Sequence, residues 1–202
     1  ANRIFVHRSI YEQFLTQFTQ RIAALRVGNG LDLATEIGPL MHQRAIDGVE
    51  NQVKDAMAYG ARCLTGGKRH PAGSLFYTPT LLADVPDDAL IMHQETFGPV
   101  AAVNAFDSEE EVIRRANNTD YGLVAYVLTE NGARQWRMGR ALQFGMVAIN
   151  RIKITGGPVP FGGWKQSGVG REGSRHGIEA FTELKYLCID TPADRGMERN
   201  YA

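Results

Sequence analysis

The sequence Gln94-Glu95-Thr96-Phe97-Gly98-Pro99-Val100 places a Gly-Pro turn directly before a run of strand-forming residues, 100–106. That run favours a buried strand, so the turn is predicted to lie at a strand entrance. Two residues apart on the turn are a carboxylate, Glu95, and an aromatic ring, Phe97. A carboxylate accepts hydrogen bonds from hydroxyls such as a ribose diol, and a ring can pack on a flat heterocycle. Glu95 and Phe97 are therefore candidate cofactor contacts, although a plain turn with an exposed Glu and a buried Phe would give the same spacing.

Strand-like and helix-like hydrophobic periods alternate on both sides of this turn. Capping-box spacings at Ser9-Glu12 and Ser108-Glu111 predict two helix starts, and Asn131 is predicted to cap a third helix. The segment 76–82 contains Pro79, which favours an edge strand or an extended segment. The alternation predicts an α/β fold with right-handed crossovers and a mostly parallel sheet covered by helices. The predicted strands are 4–7, 62–65, 100–106, 122–129 and 145–150, and the predicted helices are 9–27, 43–59, 108–117 and 131–142.

Composition argues against two classes of partner. The 202 residues carry 22 Lys plus Arg and 22 Asp plus Glu, so no net field favours nucleic acid or an anionic membrane. The two cysteines, Cys63 and Cys188, are far apart, which indicates a reducing, cytoplasmic location. Both are interpreted as small buried hydrophobes rather than nucleophiles. None of the five histidines has ligand spacing with another His, Cys or acidic cluster, so no metal site is predicted.

A second stretch, Pro160–Gly173, has five glycines in fourteen residues and can approach a ligand or another chain closely. Together with the Gln94–Val100 turn it resembles the aldehyde dehydrogenase superfamily. Ala1–His7 is similar to the family segment that follows the catalytic cysteine, and Glu183–Leu187 to its closing strand. The Lys-Gln-Ser-Gly, Gly-Arg-Glu-Gly and Leu-Lys-Tyr runs are most similar to succinate semialdehyde dehydrogenases.

The resemblance implies a division of the chain. Residues 1–181 would be a truncated catalytic domain that begins just after the nucleophile, 182–190 an oligomerisation strand, and 191–202 a mobile tail. The nucleophilic cysteine, the general-base glutamate, the oxyanion-hole asparagine and the nucleotide-binding domain would all lie upstream. The chain alone is then expected to be inactive, and the complete protein to form a dimer or a tetramer.

The resemblance also implies roles for residues in this sequence. The complete protein would oxidise an aldehyde with NAD or NADP through a cysteine thiohemiacetal and thioester. Glu95 would hold the nicotinamide ribose, and Phe97 would lie beside the nicotinamide. Phe161 would form an aromatic wall of the aldehyde pocket, with core packing as its alternative role. Glu172 would relay protons, or would cap or ion-pair at a helix start.

Substrate identity is expected to depend on the loop 150–159. Thr155 would supply a hydroxyl to the carboxylate of succinic semialdehyde or a similar semialdehyde. Arg151 stands where the succinate semialdehyde dehydrogenases commonly have an acid. It could bind an acidic substrate, but a surface ion pair is favoured. The competing functional hypothesis is a non-catalytic assembly module that pairs through its closing strand.

Overall fold

The computed structural model describes residues 1–189. It contains eight strands and five α-helices within that range. The strands are β1 Arg3–His7, β2 Arg62–Thr65, β3 Thr80–Ala83, β4 Val100–Phe106, β5 Tyr121–Gly122, β6 Val124–Val127, β7 Met146–Ile149 and β8 Trp164–Lys165. The helices are α1 Arg8–Ala23, α2 Gln43–Ala58, α3 Leu90–His93, α4 Glu109–Asn117 and α5 Gly132–Ala141, followed by a 3-10 helix, Arg175–Phe181.

The main sheet has the strand order β1-β4-β3-β2. Strand β4 pairs in parallel with both β1 and β3, and only β2 is antiparallel, against β3. A separate parallel pair, β6 and β7, is connected through α5. The predicted α/β fold with a mostly parallel sheet is confirmed.

The prediction for segment 76–82 is wrong for residues 80–82, whereas residues 76–79 belong to no strand. Residues Thr80–Ala83 form β3, an interior strand with a partner on each side. Pro79 lies one residue before the strand begins, so its missing N–H leaves no gap in the ladder. The Pro99 carbonyl accepts a hydrogen bond from the Thr80 N–H at 2.8 Å, which opens the β3–β4 pairing.

Helix starts agree with the predictions at two of three positions. The Ser108 hydroxyl caps α4 by accepting from the Glu111 N–H at 3.2 Å, and the Asn131 side chain caps α5. The predicted Ser9 cap is wrong, because α1 already begins at Arg8. His7 is its N-cap, and the His7 ring nitrogen Nδ1 accepts from the Ser9 N–H.

Helices cover both faces of the main sheet, because successive residues of β3 pack against different helices on opposite faces. Leu81 is fully buried in a cluster with Tyr11 and Leu15 of α1. Leu82, also fully buried, packs on the other face with Ile46 and Val53 of α2. Burying Leu81 and Leu82 contributes roughly 1.5 to 3 kcal/mol each. The main core is thus a three-layer arrangement around β3 and β4.

The end of the described chain is exposed and unpaired. Residues 182–189 form no strand, and Leu184, Tyr186, Leu187 and Ile189 all present their side chains to solvent. The predicted oligomerisation strand 182–190 has no partner within residues 1–189, and the division of the chain into 1–181 and 182–190 stays a prediction. The predicted tail 191–202 lies outside the described residues.

No helix in the part of the chain that the structure describes is long and apolar enough to cross a membrane. Within the same residues, no three His, Cys, Asp or Glu side chains gather as metal ligands would.

Candidate functional site

The Gln94–Val100 turn presents its two candidate side chains to solvent. Phe97 is 78% exposed, and Glu95 is exposed as well. The plain-turn alternative expected a buried Phe, whereas Phe97 is exposed among residues 1–189. Residues 95–99 belong to no helix or strand, so other contacts must hold the turn.

Thr96, between the two exposed residues, holds the turn to the rest of the protein. Its N–H donates to Asn2 Oδ1 at 2.8 Å, and its hydroxyl donates to Gln52 Oε1 at 2.5 Å. Gln52 is a buried residue of α2, and Asn2 directly precedes β1. The two partners come from separate parts of the chain and fix the middle of the turn.

Gly98 provides a further contact with α2. A Cβ atom placed on Gly98 would overlap Cγ2 of Val49, a buried residue of that helix. Only glycine allows the turn to approach the helix this closely. Residues Thr96 and Gly98 thus face the protein, whereas Glu95 and Phe97 face outward.

Phe161 and Glu172 lie opposite each other in the glycine-rich stretch. The Phe161 N–H donates to the Glu172 carbonyl at 2.8 Å, and the Glu172 N–H donates to the Phe161 carbonyl at 2.7 Å. Phe161 is half-buried and Glu172 is exposed. In an antiparallel bridge of this kind, directly opposed side chains project to the same face. The structure thus brings together the predicted aromatic wall and the predicted proton relay.

Arg171 stabilises this bridge from the side. Its Nη1 donates to the carbonyls of Gly163 and Gly170, at 3.0 and 2.6 Å. Gly162 lies against the same side chain, since an added Cβ would be 2.8 Å from Arg171 Cδ. The glycines of this stretch therefore allow close approach of two backbone segments.

Thr155 and Arg151 lie in an exposed loop, 150–160, that contains no strand or helix. The Arg151 Nε donates to the Lys153 carbonyl at 2.7 Å, within the same loop. The predicted surface ion pair of Arg151 is not found among residues 1–189, where the described hydrogen bond of its guanidinium is the one from Nε to the loop backbone. The loop is connected to the residue that follows the glycine-rich stretch by a hydrogen bond from the Ser174 N–H to the Gly157 carbonyl at 2.9 Å.

Neither cysteine has the environment of a nucleophile. Burial raises the pKa of the Cys63 thiol, and the raised pKa favours the protonated thiol. The thiol donates to the Thr65 carbonyl at 3.4 Å. Cys188 is exposed within the unpaired segment, not buried as the sequence suggested.

Three residues that shape the site could not be identified from the sequence: Asn2, Gln52 and Arg171. Each acts through hydrogen bonds to residues brought close by the fold, with Asn2 and Thr96 separated by 94 positions. Residue type alone carries no signal for such contacts.

The family model described as "Aldehyde dehydrogenase family" matches residues 1–187. The chain belongs to the aldehyde dehydrogenase family. The aspartate-semialdehyde dehydrogenase (non-phosphorylating) of Halomonas elongata is 47% identical over 189 residues, which are 94% of this chain and 38% of that protein. The mitochondrial succinate-semialdehyde dehydrogenase of Oryza sativa subsp. japonica is 46% identical over 94% of this chain and 36% of its own length.

Solved structures of the family share the fold. A succinate-semialdehyde dehydrogenase from Burkholderia pseudomallei superposes with a TM-score of 0.89 at 44% identity, covering 94% of this chain and 39% of that one. An NADP-dependent enzyme from E. coli gives a TM-score of 0.90 at 44% identity, covering 95% and 40%. The suspected family is therefore confirmed, and the chain spans well under half the length of the relatives it matches.

Proposed function

We propose that this aldehyde dehydrogenase chain forms the carboxyl-terminal part of the catalytic domain of an NAD(P)-dependent enzyme that oxidises a semialdehyde to its carboxylic acid. An upstream part of the complete protein would supply the nucleotide-binding domain, the nucleophilic cysteine, the general base and the oxyanion-hole asparagine. The match to between 36 and 39% of the length of three semialdehyde dehydrogenases supports this proposal. The observation that carries it is the anchored turn with Glu95 and Phe97 exposed on its outer side.

The turn fits a nicotinamide cofactor. No hydrogen bond within residues 1–189 occupies the Glu95 carboxylate, which leaves its oxygens available to ribose hydroxyls. The Phe97 ring has a free face on which a flat heterocycle can pack. Because the backbone between them is fixed by Thr96, both groups can act without first becoming ordered.

A bound nicotinamide cofactor would accept a hydride from the substrate carbon. Glu95 would orient the ribose by accepting hydrogen bonds from its hydroxyls, and Phe97 would limit the movement of the nicotinamide ring. Phe161 would exclude water from the aldehyde, and the Glu172 carboxylate opposite it would accept a proton that leaves the site.

For the substrate, we propose a semialdehyde that also carries a carboxylate. Both named substrates of the similar proteins, succinate semialdehyde and aspartate semialdehyde, have this group. The Thr155 hydroxyl can donate to a carboxylate, and the remaining N–H groups of the Arg151 guanidinium can add a charge-assisted hydrogen bond. Their position in one exposed loop leaves both side chains accessible.

Homo-oligomer formation belongs to the same proposal. The exposed apolar side chains of 182–189 favour pairing with a second chain. They equally favour the alternative function, an assembly module without catalysis, so activity must decide between the two.

The deciding experiment is a screen of the full-length protein that carries this chain, with succinic and aspartate semialdehydes and with NAD and NADP. The 202-residue chain alone is expected to show no turnover. Turnover by the chain alone would contradict an upstream nucleophile. A full-length protein that oxidises no aldehyde would favour the assembly function.

The site assignment is tested by Glu95→Gln and Phe97→Ala in the full-length protein. Losing the charge-assisted hydrogen bonds of Glu95 removes about 1 to 3 kcal/mol of stabilisation. If all of it is lost from the transition state of hydride transfer, kcat falls roughly 5- to 150-fold. The isotope effect with deuterated aldehyde should rise, while cofactor affinity changes less. Glu130→Gln, at another exposed glutamate, is the matched control. Parental rates and isotope effects in both variants would remove the turn from the cofactor site.

A further inference from the structure

Asn2 holds the turn with every polar atom of its side chain. Its Oδ1 accepts the Thr96 N–H at 2.8 Å. Its Nδ2 donates to the Ile91 carbonyl at 2.8 Å and to the Gln94 carbonyl at 2.9 Å. A single amide thus connects the end of α3, the turn and the residue that precedes β1.

The positions of these bonds matter for Glu95. The Gln94 carbonyl belongs to the peptide unit before Glu95, and the Thr96 N–H belongs to the peptide unit after it. Because both peptide planes are held by one rigid amide, the direction of the Glu95 Cα–Cβ bond is fixed relative to Asn2. No other side chain within residues 1–189 holds both of these peptide units.

The opposite side of the turn is held by α2. Gln52 accepts the Thr96 hydroxyl, and Val49 contacts Gly98. These contacts fix the depth of the turn but leave the peptide before Glu95 unrestrained. Asn2 supplies that missing restraint.

We propose that Asn2 is a positioning residue, which acts by setting the direction of Glu95 towards the cofactor and does not itself contact substrate or cofactor. This inference rests on the proposed function of the turn. A small displacement of a group that orients a reacting centre slows the reaction steeply, so loss of the amide should reach the chemical step through Glu95.

The first test needs no cofactor and measures amide hydrogen exchange of the Thr96 N–H in the full-length protein. Asn2→Ala should accelerate this exchange by about 5- to 10-fold, as expected for the loss of one hydrogen bond. Asn2→Asp keeps the acceptor of the Thr96 N–H but cannot donate to the Gln94 carbonyl. It should therefore largely keep the Thr96 protection and still lower kcat, and this fall in kcat is the test if the alanine variant does not fold. The matched control is Asn117→Ala, because the Asn117 amide likewise bridges two backbone groups, the Ala141 carbonyl and the Gln143 N–H.

The second test is a double-variant cycle on kcat and on the isotope effect. Asn2→Ala should lower kcat on the order of 10-fold and raise the isotope effect, with a smaller change in KM. Once Glu95 has been changed to Gln, adding Asn2→Ala should have little further effect, because the group that it positions is gone. Asn117→Ala should leave kcat at the parental value.

The outcomes separate this inference from the proposed function. If Glu95→Gln lowers kcat but Asn2→Ala changes neither Thr96 exchange nor kcat, the positioning role is refuted and the cofactor assignment stands. If the effects of Asn2→Ala and Glu95→Gln simply multiply, Asn2 is structural only and the inference fails. If Asn2→Ala accelerates Thr96 exchange while Glu95→Gln leaves kcat unchanged, Asn2 does hold the turn. Both the cofactor assignment and the role of Asn2 in the reaction are then overturned.

Discussion

Gly98→Ala tests how closely the turn packs against α2. The new Cβ would overlap Val49 Cγ2 and would lie 3.5 and 3.6 Å from Val49 Cγ1 and Cβ. Gly98 does not have a positive φ, so alanine can adopt its backbone conformation without strain. The cost of the substitution is therefore steric and measures this contact alone.

The magnitude follows from the stiffness and burial of Val49. A β-branched side chain in a helix has one strongly preferred rotamer, and Val49 is only 3% exposed within the main core. It cannot move aside cheaply, so Gly98→Ala should destabilise the protein by about 1 to 3 kcal/mol through overpacking. Val49→Ala removes two methyl groups and should cost roughly 2 kcal/mol by itself. It also empties the space that the new Cβ needs, so the double variant should be about 1 to 2 kcal/mol more stable than additivity predicts.

The assay is equilibrium unfolding of the chain in urea, with the parent, both single variants and the double variant compared at a constant m-value. Gly48→Ala is the matched control, since Gly48 precedes Val49 in α2 and an added Cβ there meets no atom within 4 Å. The free energy of unfolding of this control should rise by about 0.5 to 1 kcal/mol, because alanine is favoured over glycine inside a helix. An unchanged midpoint for Gly98→Ala, or a double variant that is strictly additive, would refute the close approach of the turn to the helix.

Two further predictions concern acid stability and assembly. The Arg137 guanidinium, with Arg134 beside it, lowers the pKa of Glu109 from 4.5 to about 2. Because the Glu109 pKa is lower in the folded than in the unfolded state, the ionised carboxylate stabilises the protein above about pH 4.5. This stabilisation is lost as the pH falls towards 2. Glu109→Gln should therefore be less stable than the parent at pH 7 and approach it at pH 3 in urea unfolding, and an equal gap at both pH values would contradict this. Leu184→Pro removes a backbone donor from the unpaired segment and should lower the association state in light scattering, whereas Leu184→Val should not; a monomeric parent at high concentration would contradict the predicted pairing.

The sequence predicted those parts of the fold whose signals are local. Asn131 and Ser108 are capping residues next to the helices that they begin, and each caps its helix as expected. The interior position of β3 could not be inferred, because strand order depends on partners distant in the chain. Pro79 led to the wrong prediction for this strand, because a proline directly before a strand is only one position away from a proline inside it.

The candidate site follows the same division. Glu95 and Phe97 were identified from residue type and spacing, and both are accessible, as a contact residue must be. Asn2 and Gln52 were not identified, because their hydrogen bonds to Thr96 cross 94 and 44 positions of the chain. Such partners come into contact only when the chain folds.

The alternation along the turn explains why its residue types occur together. Thr96 offers a donor on both its backbone and its side chain, and Gly98 allows contact with α2, so these two residues face the protein. The residues on either side of Thr96, Glu95 and Phe97, are both exposed. Glu95 and Phe97 are consequently held outward by neighbours that take no part in binding. A change at Thr96 or Gly98 should therefore disturb the site as much as a change at Glu95, although neither residue would contact a ligand.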